Sequence, residues 1–527
     1  MKLTSKWIRG FAAATMVSGL AACGDVLDVE NKNNPDVERA LATTGDVESL
    51  IRGSFTQAKR PLIAGNSINL QLVAASFENS VMAANFGMIE RSQIPRLFIN
   101  NQVSDQFHPH YYDVWAGEYA AIRSASDGLR KMNEAGFTLG TAANDARAKA
   151  FANLVLGIGH ATLAVTYDSS AIYDETIAAT AVQPLVTYNQ VMAAAISYFD
   201  KAIALSATSS TFPADWLGVQ MTPARFAQVV NGFKARYRTQ VARTPAERAA
   251  LPWASIIADA DAAITTDWEV VDDNQASGFD FWMHDYMSFR GAWHQVAYPV
   301  LGMVDQSGNY QGWMALGWNS RKPIVLVTPD MRFPQGATLA AQRLAPGKYY
   351  RAKTNDLGEA GWVRADRGEW RWSHYLDIRY QPYYTASNVG LPIPVMTVTE
   401  RGLLKAEALF RTGNLQGAAD LINVTRVGNG GLNATNAAGL NTSCVPKLPN
   451  GSCGDLFEML KHEKRIEQFA TVYGGWFFDS RGWGDLARGT ALHYPVPARE
   501  LEVREMPLYT YGGVGGPGAA PLGTYGY

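Results

Sequence analysis

Cysteine is nearly absent, with three residues in a chain of 527. That is too few for a disulfide-scaffolded small fold, and their scatter leaves no structural zinc set. An excess of charge is missing too. Lysine and arginine number 46 against 48 acidic residues, a net charge of −2, so the basic surplus that neutralises a phosphate backbone is lacking and no nucleic-acid partner is expected. Beyond the N-terminal leader no segment reads as long and apolar enough to cross a membrane. There is no Gly-x-Ser-x-Gly elbow, no phosphate-binding Gly-Lys-Ser/Thr loop and no His-Glu-x-x-His helix, so neither a nucleophile, a cofactor nor a metal is expected. What the chain does have is apolar bulk. Hydrophobic residues make up 47 % and aromatics 11 %, including 14 Trp. This supports an extensive core and excludes a disordered chain. The length corresponds to about three to four domain-sized units.

The N-terminus reads as an address. Lys2, Lys6 and Arg9 form a basic start, and an uncharged stretch runs from Gly10 to Gly24, shorter than the roughly 20 residues of a spanning helix. Leu20-Ala21-Ala22-Cys23 combines small residues, which let a peptidase reach the backbone, with a thiol for acylation. It resembles the bacterial lipobox; the other reading is an ordinary secretory signal with a chance cysteine. Residues 1–22 are therefore expected to be a lipoprotein signal peptide, with lipidation at Cys23. Each methylene of the acyl chains buried in the membrane contributes about 0.8 kcal/mol to the tether. Asp25, Asp28 and Glu30 loosely resemble a surface-export signal. The other two cysteines, Cys444 and Cys453, bracket a turn-rich segment containing Pro446, Pro449, Asn450 and Gly451. In an exported protein a local disulfide that staples this loop is the favoured reading.

Helical periodicity dominates the rest. Tyr112, Trp115, Tyr119, Ile122 and Leu129 recur near helical spacing, and residues 145–167 are rich in Ala and Leu. Over 187–205, Val191, Ala195, Tyr198, Ala202 and Leu205 form one apolar stripe. Residues 223–242 and 253–264 read as helices with Pro223 and Pro252 near their starts. Gly157 and Gly159 read as close-packing sites. Residues 400–426 read as a helix, a turn at Gly413-Asn414 and a second helix, with Ala406, Ala408, Ala418 and Ala419 allowing close approach. This unit resembles a tetratricopeptide repeat, and residues 196–205 look like the second helix of another. From 268 to 395 the pattern breaks into Gly, Pro and aromatics, with seven Trp between 282 and 372. Pro323–Thr328 reads as a strand. Residues 60–108 read as loop-rich, and the glycine-rich tail from Gly512 to Tyr527 as extended or disordered.

Several segments together resemble the SusD/RagB family of outer-membrane nutrient-binding lipoproteins. They are the lipobox followed by Val26-Leu27-Asp28-Val29 and Asn33-Asn34-Pro35, a short helix over 47–57, the hairpin at 400–426, and Thr328-Pro329-Asp330-Met331-Arg332-Phe333. Lys464-Arg465-Ile466-Glu467-Gln468-Phe469, Trp476-Phe477-Phe478-Asp479, Arg481 to Gly484 and Tyr494-Pro495-Val496-Pro497 complete the pattern. Tyr167-Asp168 stands where that family usually has a Tyr-Gly-Asp-Pro-like turn. The resemblance implies a mainly α, tetratricopeptide-like architecture with an irregular, aromatic-rich insertion. It implies a signal peptide (1–22) and one SusD-like domain (23–527), the latter divided into an N-terminal helical part (23–267), a ligand-side insertion (268–395) and a C-terminal part (396–527). It further implies a glycan or other oligomeric nutrient as ligand, a SusC-like TonB-dependent transporter as partner, and a lipid-anchored place on the outer membrane facing the exterior.

Sugar rings present an apolar face and a polar rim, which Trp and polar side chains match. Trp282, Trp293, Trp313 and Trp318, with Arg290 and Asn319, are therefore the candidate ligand residues, alongside Asp285, Gln295 and Asn309. The bland reading of each Trp is core filling. Asp272, Asp273, Asp280 and Asp285 supply carboxylates, but their turn-like setting does not favour the spaced pair of a glycosidase. His108-Pro109-His110 reads as an extended segment without a metal. Glu463, Lys464, Arg465 and Glu467 are placed to pair along a helix, and Arg481 to pair with Asp479 or Asp485. The competing function classes are a tetratricopeptide-like scaffold for protein partners and, less favoured, a glycoside hydrolase.

Overall fold

The computed structural model describes residues 41–63, 67–81, 86–178, 180–271, 294–354, 370–379 and 392–527. Cys23, Trp282, Arg290 and Trp293 lie outside the described residues, as do Asp272, Asp273, Asp280 and Asp285. Residues 48–527 form one contact unit and residues 1–47 another.

Several of the principal helices begin where the sequence supplies a cap. The principal helices are α1 (Thr44–Ile63), α2 (Asn69–Ala75), α3 (His108–Met132), α4 (Ala142–Thr166), α5 (Tyr188–Ser206), α6 (Pro223–Gln240), α7 (Trp253–Asp261), α8 (Val398–Arg411), α9 (Leu415–Gly428), α10 (Leu456–Gln468), α11 (Gly475–Trp483) and α12 (Ala498–Val503). Thr141 caps α4, and Thr187 with Gln190 forms a capping box on α5. Thr222 caps α6 ahead of Pro223, and Thr397 and Asn414 cap α8 and α9. His108-Pro109-His110 opens α3 instead of forming an extended segment, because a proline without an N–H fits the first helical turn.

From α3 to α10 these helices pack in an unbroken succession of neighbours. Val191, Ala195, Tyr198 and Ala202 are the buried face of α5, and Gly413, at φ +84°, turns the chain between α8 and α9. Two glycines bring α4 close to its neighbours. A Cβ on Gly157 would lie 2.5 Å from the Phe199 ring of α5, and one on Gly159 would lie 2.8 Å from Ile122 of α3. By length and composition α4 is apolar enough to cross a membrane, which corrects the sequence reading. Most of its apolar window is buried inside the protein, as in a core helix.

The strands are short and pair antiparallel in twos: β1 (Asn79–Val81) with β5 (His294–Val296), β2 (Ser169–Ser170) with β3 (Val186–Thr187), β4 (Trp268–Val271) with β8 (Pro392–Met396), and β6 (Tyr350–Ala352) with β7 (Tyr375–Asp377). Pro323–Thr328 joins no ladder. Its backbone is satisfied by side chains: Ile324 N–H donates to the Tyr298 hydroxyl, Leu326 N–H to that of Tyr375, and Val327 N–H to Asp305 Oδ1. A single core unites Phe77, Tyr298, Tyr310, Trp313, Phe333, Trp370, Trp476 and Tyr527, so the described part of the aromatic-rich insertion shares its interior with residues near both ends of the chain. The glycine-rich tail is ordered. Phe98 bridges Gly512, Ala491 bridges Ala519, and Tyr525 and Tyr527 are buried. Cys444 and Cys453 are joined by a disulfide.

The charged C-terminal motif pairs mostly between elements and not along one helix. Arg332 meets Asp330 at 2.8 Å, Glu463 at 2.7 Å and Glu467 at 3.0 Å. Arg248 meets Glu407 at 2.6 Å and Asp479 at 2.8 Å. Lys464 meets Asp479 at 2.9 Å, while Lys461 and Arg465 share Asp485. Arg481 donates to the carbonyls of Leu492 and Gln240 and pairs with neither aspartate. Each arginine fork here bridges segments far apart in sequence, which helical spacing does not encode.

Candidate ligand-binding site

Of the candidate Trp residues, the two described ones are committed to internal contacts. Trp313 is 2 % exposed and packs against Tyr298 and Tyr310. Trp318 is half-buried, stacked on Phe77 at 5.9 Å and edge-on to Trp370 at 5.1 Å, with the Arg321 guanidinium 3.9 Å above its ring. Asn319 beside it is exposed.

The described residues form a larger cleft elsewhere, on α3. Residues 112, 115, 119, 122 or 123, and 126 recur at intervals of three and four and so share one helix face. Tyr112, Trp115 and Tyr119 of that face, with Tyr173 from the loop after β2, wall a cleft of about 480 Å³, within the roughly 300–1,000 Å³ of small-molecule sites. Trp115 and Tyr119 have ring centroids 5.0 Å apart, Tyr119 and Tyr173 5.9 Å apart, and Tyr167 meets Trp115 edge-on at 5.0 Å from beneath. The Tyr119 hydroxyl donates to Ala171 O at 3.0 Å and accepts that residue's N–H at 2.7 Å, which fixes the ring. Burial pushes its ionisation well above the usual tyrosine range.

The rim is polar and anchored. Arg130 on α3 donates to the carbonyls of Glu175 and Ile177, holding the loop over the helix. Asp174 accepts from both the N–H and the hydroxyl of Thr176 and from the Tyr198 hydroxyl. Its partial burial opposes ionisation, but these hydrogen bonds keep the carboxyl below its ordinary value. On the far side Arg504 of α12 pairs with Glu500 at 2.6 Å and donates to Gln183 O.

A second cleft of about 290 Å³ sits at the start of α3, bordered by Gln71, Glu90, Arg91, Phe98, Phe107 and Tyr111. The Gln71 Oε1 accepts from the Tyr494 hydroxyl, while its buried Nε2 has no partner. Among the described residues no cluster of His, Cys, Asp and Glu is placed to hold a metal ion. The sequence does carry the signal for the larger cleft, the Tyr112–Trp115–Tyr119–Ile122 stripe. Its periodicity reads as an ordinary core face, and the covering loop is invisible to periodicity.

Helical hairpins in succession, with an irregular aromatic segment set into them, define the class of architecture to which this chain conforms: it has the SusD-like fold. Solved structures with this fold include a SusD superfamily protein from Bacteroides vulgatus, at 15 % identity and a TM-score of 0.51 over 84 % of this chain and 89 % of that one. A second, from Bacteroides fragilis, aligns at 13 % identity and 0.51 over 92 % and 96 %. A third, from Bacteroides thetaiotaomicron, aligns at 11 % identity and 0.50 over 84 % and 89 %. No protein-family model and no curated protein matches the sequence.

Proposed function

We propose that this chain is a SusD/RagB-type nutrient-binding lipoprotein that captures a glycan at the α3 cleft without chemically altering it. The observation that carries the reading is the cleft itself, where aromatic rings offer apolar faces to pyranose C–H groups and a fixed polar rim offers partners for hydroxyls. Cys23 is the lipid attachment point, and the protein passes its cargo to a SusC-like TonB-dependent transporter in the outer membrane. The lipobox and the SusD-like fold support this part of the reading.

Glycan-array retention of the full chain, run beside an assay for hydrolysis of the same polymers, tests the central claim. Retention that falls at least tenfold in Tyr112→Ala and Tyr173→Ala, with no reducing ends released, is the expected result. Retention unchanged in both variants removes the cleft from the function. For the anchor, Cys23→Ser is expected to move the protein from the membrane fraction to the soluble one.

A further inference from the structure

The basic groups along the α3 cleft are unequally engaged. The Asp127 carboxylate receives Arg123 through Nε at 2.6 Å and Arg130 through Nη1 at 2.5 Å, so two guanidiniums share one acid. Arg130 spends its remaining donors on two loop carbonyls, and Arg504 is held by Glu500 and Gln183. Arg123 has no other hydrogen bond among the described residues. Its two Nη groups are unpartnered on the wall of the cleft, with the side chain 38 % exposed. Of the other carboxylates lining the cleft, Asp174 is committed to Thr176 and Tyr198, with Lys201 nearby, and Glu500 to Arg504, while Glu175 of the covering loop keeps a buried Oε2 with no partner. Three residues along the same face, Ser126 is 2 % exposed and its hydroxyl has no partner, an uncommon state for a buried polar group.

A free planar fork of donors beside aromatic walls is the complement of a ring that carries a carboxylate. Building on the glycan reading above, we propose that the cleft selects acidic sugars. The carboxylate of a hexuronate residue docks on the Nη pair of Arg123, and its ring lies along the Tyr112 and Tyr119 rings, which the buried Trp115 backs.

Calorimetric titration of the full chain in low salt with a galacturonate trisaccharide, its methyl ester, maltotriose and a triglutamate peptide tests this. The acid is expected to bind at least tenfold more tightly than its ester, about 1.4 kcal/mol, and to weaken toward the ester's affinity as salt is raised. Arg123→Gln is expected to abolish that difference while leaving ester binding intact, and Arg123→Lys, which keeps the charge but loses the fork, to restore only part of it. Equal affinity for acid and ester, a preference that survives Arg123→Gln, or triglutamate binding as tightly as the uronate would each overturn the selectivity, while the glycan reading stands on ester and maltotriose binding. If no saccharide binds at all, the glycan reading falls as well.

Discussion

Glu78, between α2 and β1, is 2 % exposed. Burial pushes its carboxyl up to about 8, against the Ala470 N–H that donates to Oε1 at 2.7 Å. The folded chain therefore holds a proton that the unfolded chain releases near pH 4.5. This contribution to stability is fully present below pH 4.5 and is lost as pH rises toward 8. Glu78→Gln should flatten that limb in urea titrations: equal to the parent near pH 4 and more stable at pH 8, by on the order of a few kcal/mol. A parent-like slope would refute the assignment. Asp330 behaves oppositely. Burial alone would raise it, but the Arg332 guanidinium beside it more than reverses this and holds it far below the usual carboxylate range, so its contribution is present above about pH 4 and is lost on acidification. Arg332→Met strands Asp330, Glu463 and Glu467 in the interior and should cost about 3–5 kcal/mol, read as a lower urea midpoint at neutral pH. That Glu463 and Glu467 would enter ion pairs was legible from their helix. Their partners were not, since Arg332 and Glu463 are 131 positions apart and no local spacing specifies such a pair.

Among elements, the α4–α5 contact depends on a missing side chain. A Cβ at Gly157 would sit 2.5 Å from Phe199, so Gly157→Ala should destabilise by roughly 1–3 kcal/mol through overpacking. Combining it with Phe199→Leu should cost less than the sum of the two single changes, a coupling that a double-mutant cycle measures. The longer helices were readable from their own apolar stripes, reinforced in several by a local cap, as Thr187 and Gln190 provide for α5. Pro323–Thr328 was misread because an apolar run specifies extended backbone but not who satisfies it; here the acceptors are Tyr298, Tyr375 and Asp305, side chains rather than a neighbouring strand. The α3 cleft was hidden for a related reason. A helix face walled by Tyr112 and Trp115 looks the same whether a helix or a ligand covers it.

For the molecule as a whole, the tail from Gly512 to Tyr527 shows what composition leaves open. Its glycines left extended and disordered backbone as alternatives, while the structure holds it irregular but ordered, through rings and backbone bridges to distant segments. Ala520 N–H donates to Thr490 O at 2.7 Å, Arg465 Nη1 to the Tyr525 hydroxyl at 3.2 Å, and the Tyr527 ring lies 5.2 Å from Phe77. Deleting residues 512–527 should bare Phe77, raise binding of a hydrophobic dye and lower the thermal midpoint; a truncated chain that melts like the parent would show the tail to be dispensable. The same stitching sets an order of events during biosynthesis. A ribosome delivers Phe77 long before Tyr527 exists, so the emerging polypeptide lacks the ring that closes this corner of its interior until the last stretch is made. Closure of this corner of the core is thus one of the last events that synthesis of the chain allows.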